Sequence, residues 1–220
     1  MRKFSRANRA PAAFGEEMIS SSMEGFEKLS FAGREIFRGH LPDHAQRTSR
    51  LLHELHAGMK DFSFSHKIGG RWENSYLPIE KVPSVRDIIR PARDLAVNLY
   101  GGKLVALYDP PSGLEHPPFW FNLATTGEST GVHNHARESE ISGVYYLDTP
   151  IDSGELFFRS DGEEDLTLVP ETGVLVLFPS VLRHGVRSNS ASGNRISMAF
   201  NLFAFPLPIF GMGTFGAEVP

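Results

Sequence analysis

The chain has 220 residues, of which 40% are hydrophobic and 22% charged, and its formal net charge is −4. This length allows one domain with a sizeable core, and the slight acidity gives no reason to expect nucleic acid or a membrane as a partner. The absence of cysteine excludes disulfides, thiolate metal sites and cysteine nucleophiles, and it is compatible with the reducing cytoplasm, where we expect the protein.

The first 26 residues are predicted to form a flexible tail. Four basic residues lie within its first nine positions, and the apolar run after them is too short for a secretory signal. No membrane-spanning segment is expected, because the richest apolar stretch, 198–212, is interrupted by Asn201 and two prolines and falls short of about 20 residues.

Residues 27–102 are predicted to form a mainly helical support. Asp43 is a candidate N-cap, and the apolar spacing after it indicates a first helix. Its predicted stripe is Ala45, Thr48, Leu52, Leu55 and Met59. A capping box of Ser84 and Asp87 is predicted to open a second helix, which ends at Gly101. Its predicted stripe is Val85, Ile88, Ala92, Leu95 and Leu99. Pro91 either kinks this helix or starts it.

Residues 103–220 are predicted to form a β-core with a C-terminal tail. Short β-type runs alternate here with turn residues, a pattern typical of a sandwich or barrel. The predicted strands are 103–109, 119–125, 131–135, 142–148, 154–159, 165–168, 173–179, 182–188 and 195–205. The whole chain is therefore predicted to be a single, mostly β domain with N-terminal helices. The apolar tail beyond 205 could cover a sheet edge or pack on the partner subunit of a homodimer.

Three histidines of the β-rich part are candidate metal ligands. His133 and His135 are two positions apart on a predicted strand, so their side chains should share a face. His184 follows an apolar run and a proline turn. Three neutral imidazoles can bind Fe, Zn, Cu or Ni and leave open positions on the metal. Glu138 and Glu140 are either solvated turn residues or metal-site residues, in which case they would serve as a fourth ligand or as an acceptor for an imidazole N–H.

The predicted strand 195–205 has two unlike faces. The apolar face consists of Ile196, Met198, Phe200 and Leu202, and the polar face of Arg195, Ser197, Ala199 and Asn201. A buried charge is costly without a partner, and a bound dicarboxylate would supply one to Arg195. The guanidinium would receive a carboxylate bidentately, and Ser197 adds a hydroxyl donor.

The remaining histidines are interpreted as surface residues, because no third ligand completes a recognisable spacing with any of them. They are His40, His44, His53, His56, His66 and His116. No phosphate-binding glycine loop and no Gly-x-Ser-x-Gly elbow is present in the sequence.

These motifs occur together in a recognisable order between residues 119 and 205. The matching segments are Trp120–Asn122, His133-x-His135, Ser142–Leu147, Ser153–Phe158, Leu177–Ser180, His184 and Arg195–Asn201. In this order they resemble the 2-oxoglutarate- and Fe(II)-dependent oxygenases, in particular a little-characterised bacterial and phage branch with a His-x-His…His motif. The resemblance implies a double-stranded β-helix, or jelly-roll, core that holds Fe(II) and 2-oxoglutarate inside its mouth.

The resemblance also implies roles for individual residues. His133 resembles the first iron ligand and His184 the distal histidine ligand. Arg195, helped by Ser197, resembles the clamp for the far carboxylate of 2-oxoglutarate. Four further residues are candidates for lining the cosubstrate or substrate pocket. They are Asn122, Tyr145, Tyr146 and Asn201.

One position departs from the usual pattern of the superfamily, which is His-x-Asp/Glu…His. Here His135 stands in place of the carboxylate, so three neutral ligands would leave Fe(II) with its full charge. A doubly charged cosubstrate could neutralise the iron by itself. The alternative is that Glu138 or Glu140 binds the metal and His135 supports it. We favour three histidines, because strand geometry places His135 on the face of His133.

The expected reaction is hydroxylation of a small molecule or peptide by dioxygen, with succinate and CO2 as coproducts. A second hypothesis is a cupin-like enzyme, because the spacing from Gly127 to Glu140 and from Gly173 to His184 also echoes the cupins. Such a three-histidine dioxygenase or isomerase, or less readily a zinc hydrolase, would not use 2-oxoglutarate. A third hypothesis is a binding module that holds no metal.

Overall fold

The computed structural model describes residues 25–64, 67–68, 71–72, 74–110, 115–137 and 139–207. The strands among them are β1 (Phe26–Phe31), β2 (Arg34–His40), β3 (Ser63–Phe64), β4 (Lys67–Ile68), β5 (Arg71–Trp72), β6 (Ser75–Tyr76), β7 (Leu104–Ala106), β8 (Phe119–Ala124), β9 (Thr130–His133), β10 (Ile141–Asp148), β11 (Leu156–Arg159), β12 (Leu166–Leu168), β13 (Val174–Pro179), β14 (Arg183–Val186) and β15 (Arg195–Ala204). The helices are α1 (His44–Gly58), which continues into a 3-10 turn (Met59–Asp61), and α2 (Val85–Tyr100).

Two antiparallel sheets form the body of the protein. The larger one has the order β1-β2-β13-β10-β15-β8-β6-β3, with β7 also paired to β15, and the smaller one has the order β12-β11-β14-β9. From β8 onwards the chain passes repeatedly between the two sheets. This interleaved order is that of a double-stranded β-helix. The predicted fold, mostly β with N-terminal helices and a jelly-roll core, is confirmed.

The helices cover the outer face of the larger sheet. Apolar side chains of α1 and α2, such as Leu51 and Ile88, form one core with Ile196, Met198 and Phe200 of β15. Each such side chain, when fully buried, contributes about 1.5–3 kcal/mol through removal of apolar surface from water. The helices therefore cover the outer face of the larger sheet, and its inner face is left to line a site. Among the described residues, neither helix has the length and apolarity that crossing a membrane requires.

The first helix begins where the sequence indicates, but its buried stripe differs. Asp43 precedes it in a left-handed conformation and makes no side-chain capping hydrogen bond. The buried residues of the helix are Thr48, Leu51, Leu55 and Gly58. The predicted stripe was thus wrong at Ala45 and Met59, which are exposed, whereas the half-buried Leu52 packs against the core.

The predicted capping box of the second helix was also wrong. Ser84 precedes α2 without a side-chain capping bond, because its hydroxyl donates to Oε1 of Glu54 on α1 at 2.6 Å. This contact joins the two helices instead. Pro91 lies inside α2 and does not start it.

The segment 27–102, predicted as a helical support, contributes strands as well as helices. β2 pairs with β13 and thereby extends the larger sheet of the β-core. Of the predicted tail, residues 1–24 lie outside the described residues, and Phe26 already begins β1. The apolar C-terminal tail lies outside the described residues from 208 onwards.

Candidate metal centre

The smaller sheet brings the three predicted histidines together. His133 ends β9 and His184 lies on β14, and the two residues are direct partners across the antiparallel pair. Their ring centroids are 4.5 Å apart, and those of His133 and His135 are 5.0 Å apart. One nitrogen from each of the three rings lies within 4.8 Å of the others. Such a cluster can hold a metal ion.

His135 reaches the cluster by a route that the sequence did not predict. β9 ends at His133, so the predicted strand 131–135 was too long and alternation along it does not orient His135. Its backbone N–H instead donates to the carbonyl oxygen of Ser180 at 2.9 Å. His135 thus lies in a turn attached to the loop between β13 and β14, and its ring centroid is 5.6 Å from that of His184.

The surroundings of the histidines suit a metal that binds neutral imidazole. Nδ1 of His133 lies 2.8 Å from the carbonyl of Gly131, and Nδ1 of His184 lies 2.9 Å from that of Leu182. A carbonyl can only accept, so Nδ1 carries the proton in both neutral rings and Nε2 keeps its lone pair. Burial is the main cause that lowers the pKa of His184 to about 3, and the positive charge of a protonated His133 is the second. At neutral pH this ring is therefore uncharged, which is the form that can bind a metal.

The inner face of the larger sheet carries a row of polar side chains opposite this cluster. Tyr146 on β10 pairs in register with Ser197 on β15, which pairs with Asn122 on β8. Because neighbours in register project to the same side of a sheet, these three side chains form one row. Burial raises the pKa of Tyr146 to about 12, although the positive charge of Arg195 opposes this rise. Its phenol is therefore protonated at neutral pH.

Arg195 lies next to this row, and only 2% of its surface is exposed. Its Nη1 donates to the carbonyls of Ser153 and Gly154, which fix the guanidinium in place. Gly154 has a φ of +90°, and a Cβ there would lie 2.9 Å from Nη1 of Arg195 and 2.2 Å from the carbonyl oxygen of Arg187. Only glycine therefore allows the chain to pass this close to the arginine.

A single cavity of about 500 Å³ connects the histidines to the arginine. Its lining includes seven of the residues that were predicted for metal and cosubstrate. They are His133, His135, His184, Arg195, Ser197, Asn122 and Tyr146. A second, more open groove of about 670 Å³ runs along α1 past His44, His53 and His56. Within the described ranges, none of these three belongs to a group of side chains that could hold a metal.

Several other candidates lie elsewhere. Tyr145 was wrongly predicted to line the pocket, because its side chain projects to the helical face and its hydroxyl lies 2.7 Å from Oγ1 of Thr48. Asn201 does not line the cavity, and its Oδ1 accepts from the hydroxyl of Ser142. Glu140 is exposed and does not join the histidine cluster, and Glu138 lies outside the described residues.

The cavity also contains residues that sequence reasoning missed. Asn74 and Tyr76 line it from β6 and the residue before it. Nδ2 of Asn122 donates to Oδ1 of Asn74 at 3.3 Å, and Nδ2 of Asn74 donates to the hydroxyl of Tyr76 at 3.2 Å. The pairing of Ser75 with Phe121 brings this segment to the site. No local sequence pattern around Asn74 predicts that pairing.

Comparison with known proteins agrees with this geometry. Residues 158–201, which contain His184, Arg195 and Ser197, match the sequence profile of a family described as "Putative 2OG-Fe(II) oxygenase". This segment of the chain is similar to the 2OG-Fe(II) oxygenases. The match confirms the predicted resemblance, and with the fold it indicates a 2-oxoglutarate- and Fe(II)-dependent oxygenase. The two cofactors in the family description are the two predicted from the sequence. None of the curated proteins matches the chain.

Solved oxygenases share the fold. The non-heme α-ketoglutarate-dependent epimerase SnoN of nogalamycin biosynthesis is 15% identical, with a TM-score of 0.60 over 93% of this chain and 91% of SnoN. A prolyl hydroxylase from Trichoplax adhaerens, solved with a hypoxia-inducible factor peptide, is 12% identical, with a TM-score of 0.58 over 86% of this chain and 88% of its own. SnoN has also been solved with Fe3+, α-ketoglutarate and nogalamycin RO.

Proposed function

We propose that this oxygenase hydroxylates a C–H bond of a small molecule or peptide, with 2-oxoglutarate as cosubstrate and succinate and CO2 as coproducts. One observation carries the proposal. A cluster of three histidines and a buried arginine line the same cavity, so a metal ion and a dicarboxylate could occupy it together. The balanced reaction is R–H plus 2-oxoglutarate plus O2, giving R–OH plus succinate plus CO2.

The residues of the cluster fit Fe(II). In this proposal His133, His135 and His184 bind the ion through imidazole nitrogens, the ligand type that suits iron, and three protein ligands leave positions open. When bound, Fe(II) supplies the redox chemistry that couples decarboxylation of 2-oxoglutarate to oxidation of the substrate. Burial lowers the pKa of His184, so at neutral pH no proton competes with the metal for this imidazole.

The arginine end of the cavity fits the far carboxylate of 2-oxoglutarate. The guanidinium of Arg195 is fixed by two main-chain carbonyls, and the hydroxyl of Ser197 lies on the same face of β15. Charge-assisted hydrogen bonds in such a buried site are stronger than neutral ones. Asn122 and Tyr146 complete the row beside Ser197 and would hold the cosubstrate from its flanks.

The net charge of the centre supports the same assignment. Three neutral imidazoles cancel none of the charge of Fe(II), whereas a doubly charged 2-oxoglutarate cancels both units. Binding of the cosubstrate should therefore be strongly coupled to binding of the metal. A carboxylate ligand from Glu138 in place of His135 would weaken this coupling.

An anaerobic titration tests the proposal directly. The apo-protein is loaded with Fe(II), 2-oxoglutarate is added, and the visible metal-to-ligand charge-transfer band is followed. A saturable band that disappears on admission of oxygen, with formation of succinate, is the expected result. Fe(II) binding without a band would contradict the use of 2-oxoglutarate.

The second candidate is a cupin-type dioxygenase or isomerase that does not use 2-oxoglutarate. The absence of a carboxylate from the cluster, within the described part of the chain, favours it. It predicts metal binding without any binding of 2-oxoglutarate, whereas the leading proposal predicts that 2-oxoglutarate binds and that this binding is lost when Arg195 is replaced. A cytoplasmic location is part of either proposal, and the cysteine-free sequence is compatible with it.

A further inference from the structure

A buried network of hydroxyl groups lies beside the metal centre. Ser180 and Ser142 are 0% and 3% exposed, and Asn201 is 5% exposed. The hydroxyl oxygen of Ser180 lies 2.8 Å from that of Ser139 and 2.9 Å from that of Ser142, which donates to Oδ1 of Asn201 at 2.9 Å. Such a chain in the interior is stabilising only when every member is satisfied.

The direction of every bond in this chain follows from its last member. Oδ1 of Asn201 can only accept, so the proton of Ser142 points to Asn201. Ser142 must then accept from Ser180, and Ser180 must accept from Ser139. The chain therefore runs in one direction, from Ser139 through Ser180 and Ser142 to Asn201, and the loss of one hydroxyl breaks it.

Two residues of this network, Ser180 and Ser139, form hydrogen bonds with both backbone groups of His135. The N–H of His135 donates to the carbonyl of Ser180 at 2.9 Å, and the carbonyl of His135 accepts from the N–H of Ser139 at 3.0 Å. Ser139 and Ser180 are then joined through their hydroxyls. The turn that carries His135 is thus attached to the loop before His184 by a main-chain bond and a side-chain bond.

We propose that Ser180, with Ser139 and Ser142, is a positioning residue that fixes His135 in the metal centre. His135 lies beyond the end of β9, so no strand pairing determines where its ring points. The serine network takes over this role, and it links His135 to the loop that follows β13 and to β10 and β15 in the larger sheet. This inference rests on the proposed function, because it assumes that His135 binds the metal.

The test is a titration of the full-length apo-protein with Co(II) alone, followed by its visible absorption spectrum. The variants are Ser180→Ala, which removes the central hydroxyl, and Ser139→Ala, which removes the half-buried first one and is the milder change. His135→Ala defines the effect of losing the ligand itself. The matched control is Thr48→Val, which removes a buried hydroxyl bonded to Tyr145 on the helical side of the larger sheet.

We expect Ser180→Ala to weaken Co(II) binding about tenfold, as losses of supporting groups around metal ligands do, and to change the Co(II) spectrum. Ser139→Ala should change both in the same direction by a smaller amount, and Thr48→Val should change neither. Affinity and spectrum report on the ligands, so a merely structural role of the network would leave the spectrum unmoved.

The outcomes separate this inference from the proposed function. If the unaltered protein and His135→Ala differ in affinity but both serine variants bind Co(II) like the unaltered protein, the positioning role is overturned and the metal centre stands. Equal weakening by Ser180→Ala and Thr48→Val also overturns it. If His135→Ala binds like the unaltered protein, His135 is no ligand and the positioning role is again overturned. If the unaltered protein binds no Co(II), the proposed metal centre fails, and the positioning role fails with it.

Discussion

Replacement of Arg195 by leucine should abolish most of the affinity for 2-oxoglutarate and spare the binding of iron. The guanidinium is almost wholly buried, so a carboxylate bound to it would be removed from water as well. Loss of one member of such a buried charged pair costs about 2–5 kcal/mol. We take about 3 kcal/mol, because the hydroxyl of Ser197 remains, and this corresponds to a dissociation constant about 150-fold higher.

The assay is anaerobic titration of the Fe(II)-loaded variant with 2-oxoglutarate, beside a separate titration with Fe(II). Arg195→Lys keeps the charge but loses the planar fork of the guanidinium. Its affinity for 2-oxoglutarate should therefore lie between those of the unaltered protein and of Arg195→Leu. Arg187→Leu is the matched control, because this arginine stacks on Phe157 and pairs with Asp165 outside the cavity. Thermal unfolding checks that loss of the donor to Ser153 and Gly154 leaves the fold intact.

Unchanged affinity for 2-oxoglutarate in a folded Arg195→Leu protein would falsify the assignment of this arginine. A parallel loss of iron affinity would contradict the separation of the cavity into a metal end and a carboxylate end. An equal effect of Arg187→Leu would show that the result reflects the general loss of positive charge.

Three further predictions concern stability. In the metal-free protein the free energy of unfolding should fall as the pH is lowered from 6.5 to about 3, by up to about 1.4 kcal/mol per pH unit. The reason is that His184 becomes protonated at a higher pH in the unfolded chain than in the folded protein. Urea unfolding measured across this pH range should show the slope, and His184→Gln should lack it. Gly143→Ala should destabilise the fold by about 1–3 kcal/mol or more, because its Cβ would lie 2.2 Å from the ring of Phe200; an unchanged urea midpoint would contradict that packing. Tyr145→Phe should cost about 1–3 kcal/mol, because its hydroxyl is bonded both to Thr48 and to the carbonyl of His44. It should leave 2-oxoglutarate binding unchanged, and weakened binding would place Tyr145 in the site after all.

The alternation of side chains along β15 could be predicted because a strand has only two faces. The apolar residues Ile196, Met198 and Phe200 indicated the core side, and this assigned Arg195 and Ser197 to the other side without further information. His184 was identified for a related reason, since it follows an apolar strand and a proline turn. These features depend on local period and on the order of motifs, which a sequence records directly.

Other features depend on contacts between distant segments. Asn74 enters the cavity only because β6 pairs with β8, and the hydroxyl of Ser84 is used by Glu54 of another helix and not by its own. His135 was assigned to the metal centre for a reason that proved wrong, since β9 ends before it. Its backbone bond to Ser180 joins residues that are far apart in the chain, and no local pattern predicts such a bond.

The two faces of β15 have a consequence for how this protein can tolerate mutation. Positions 196, 198, 200 and 202 face the helices, and positions 195, 197 and 199 line the cavity. A saturation scan of this strand should therefore show a period of two in its outcomes. Substitutions at even positions should lower the amount of folded protein, whereas many at odd positions should leave that amount nearly unchanged and alter ligand binding. Selection on abundance and selection on activity would then act on interleaved residues of one strand, so the cavity could change its specificity while the core remains fixed.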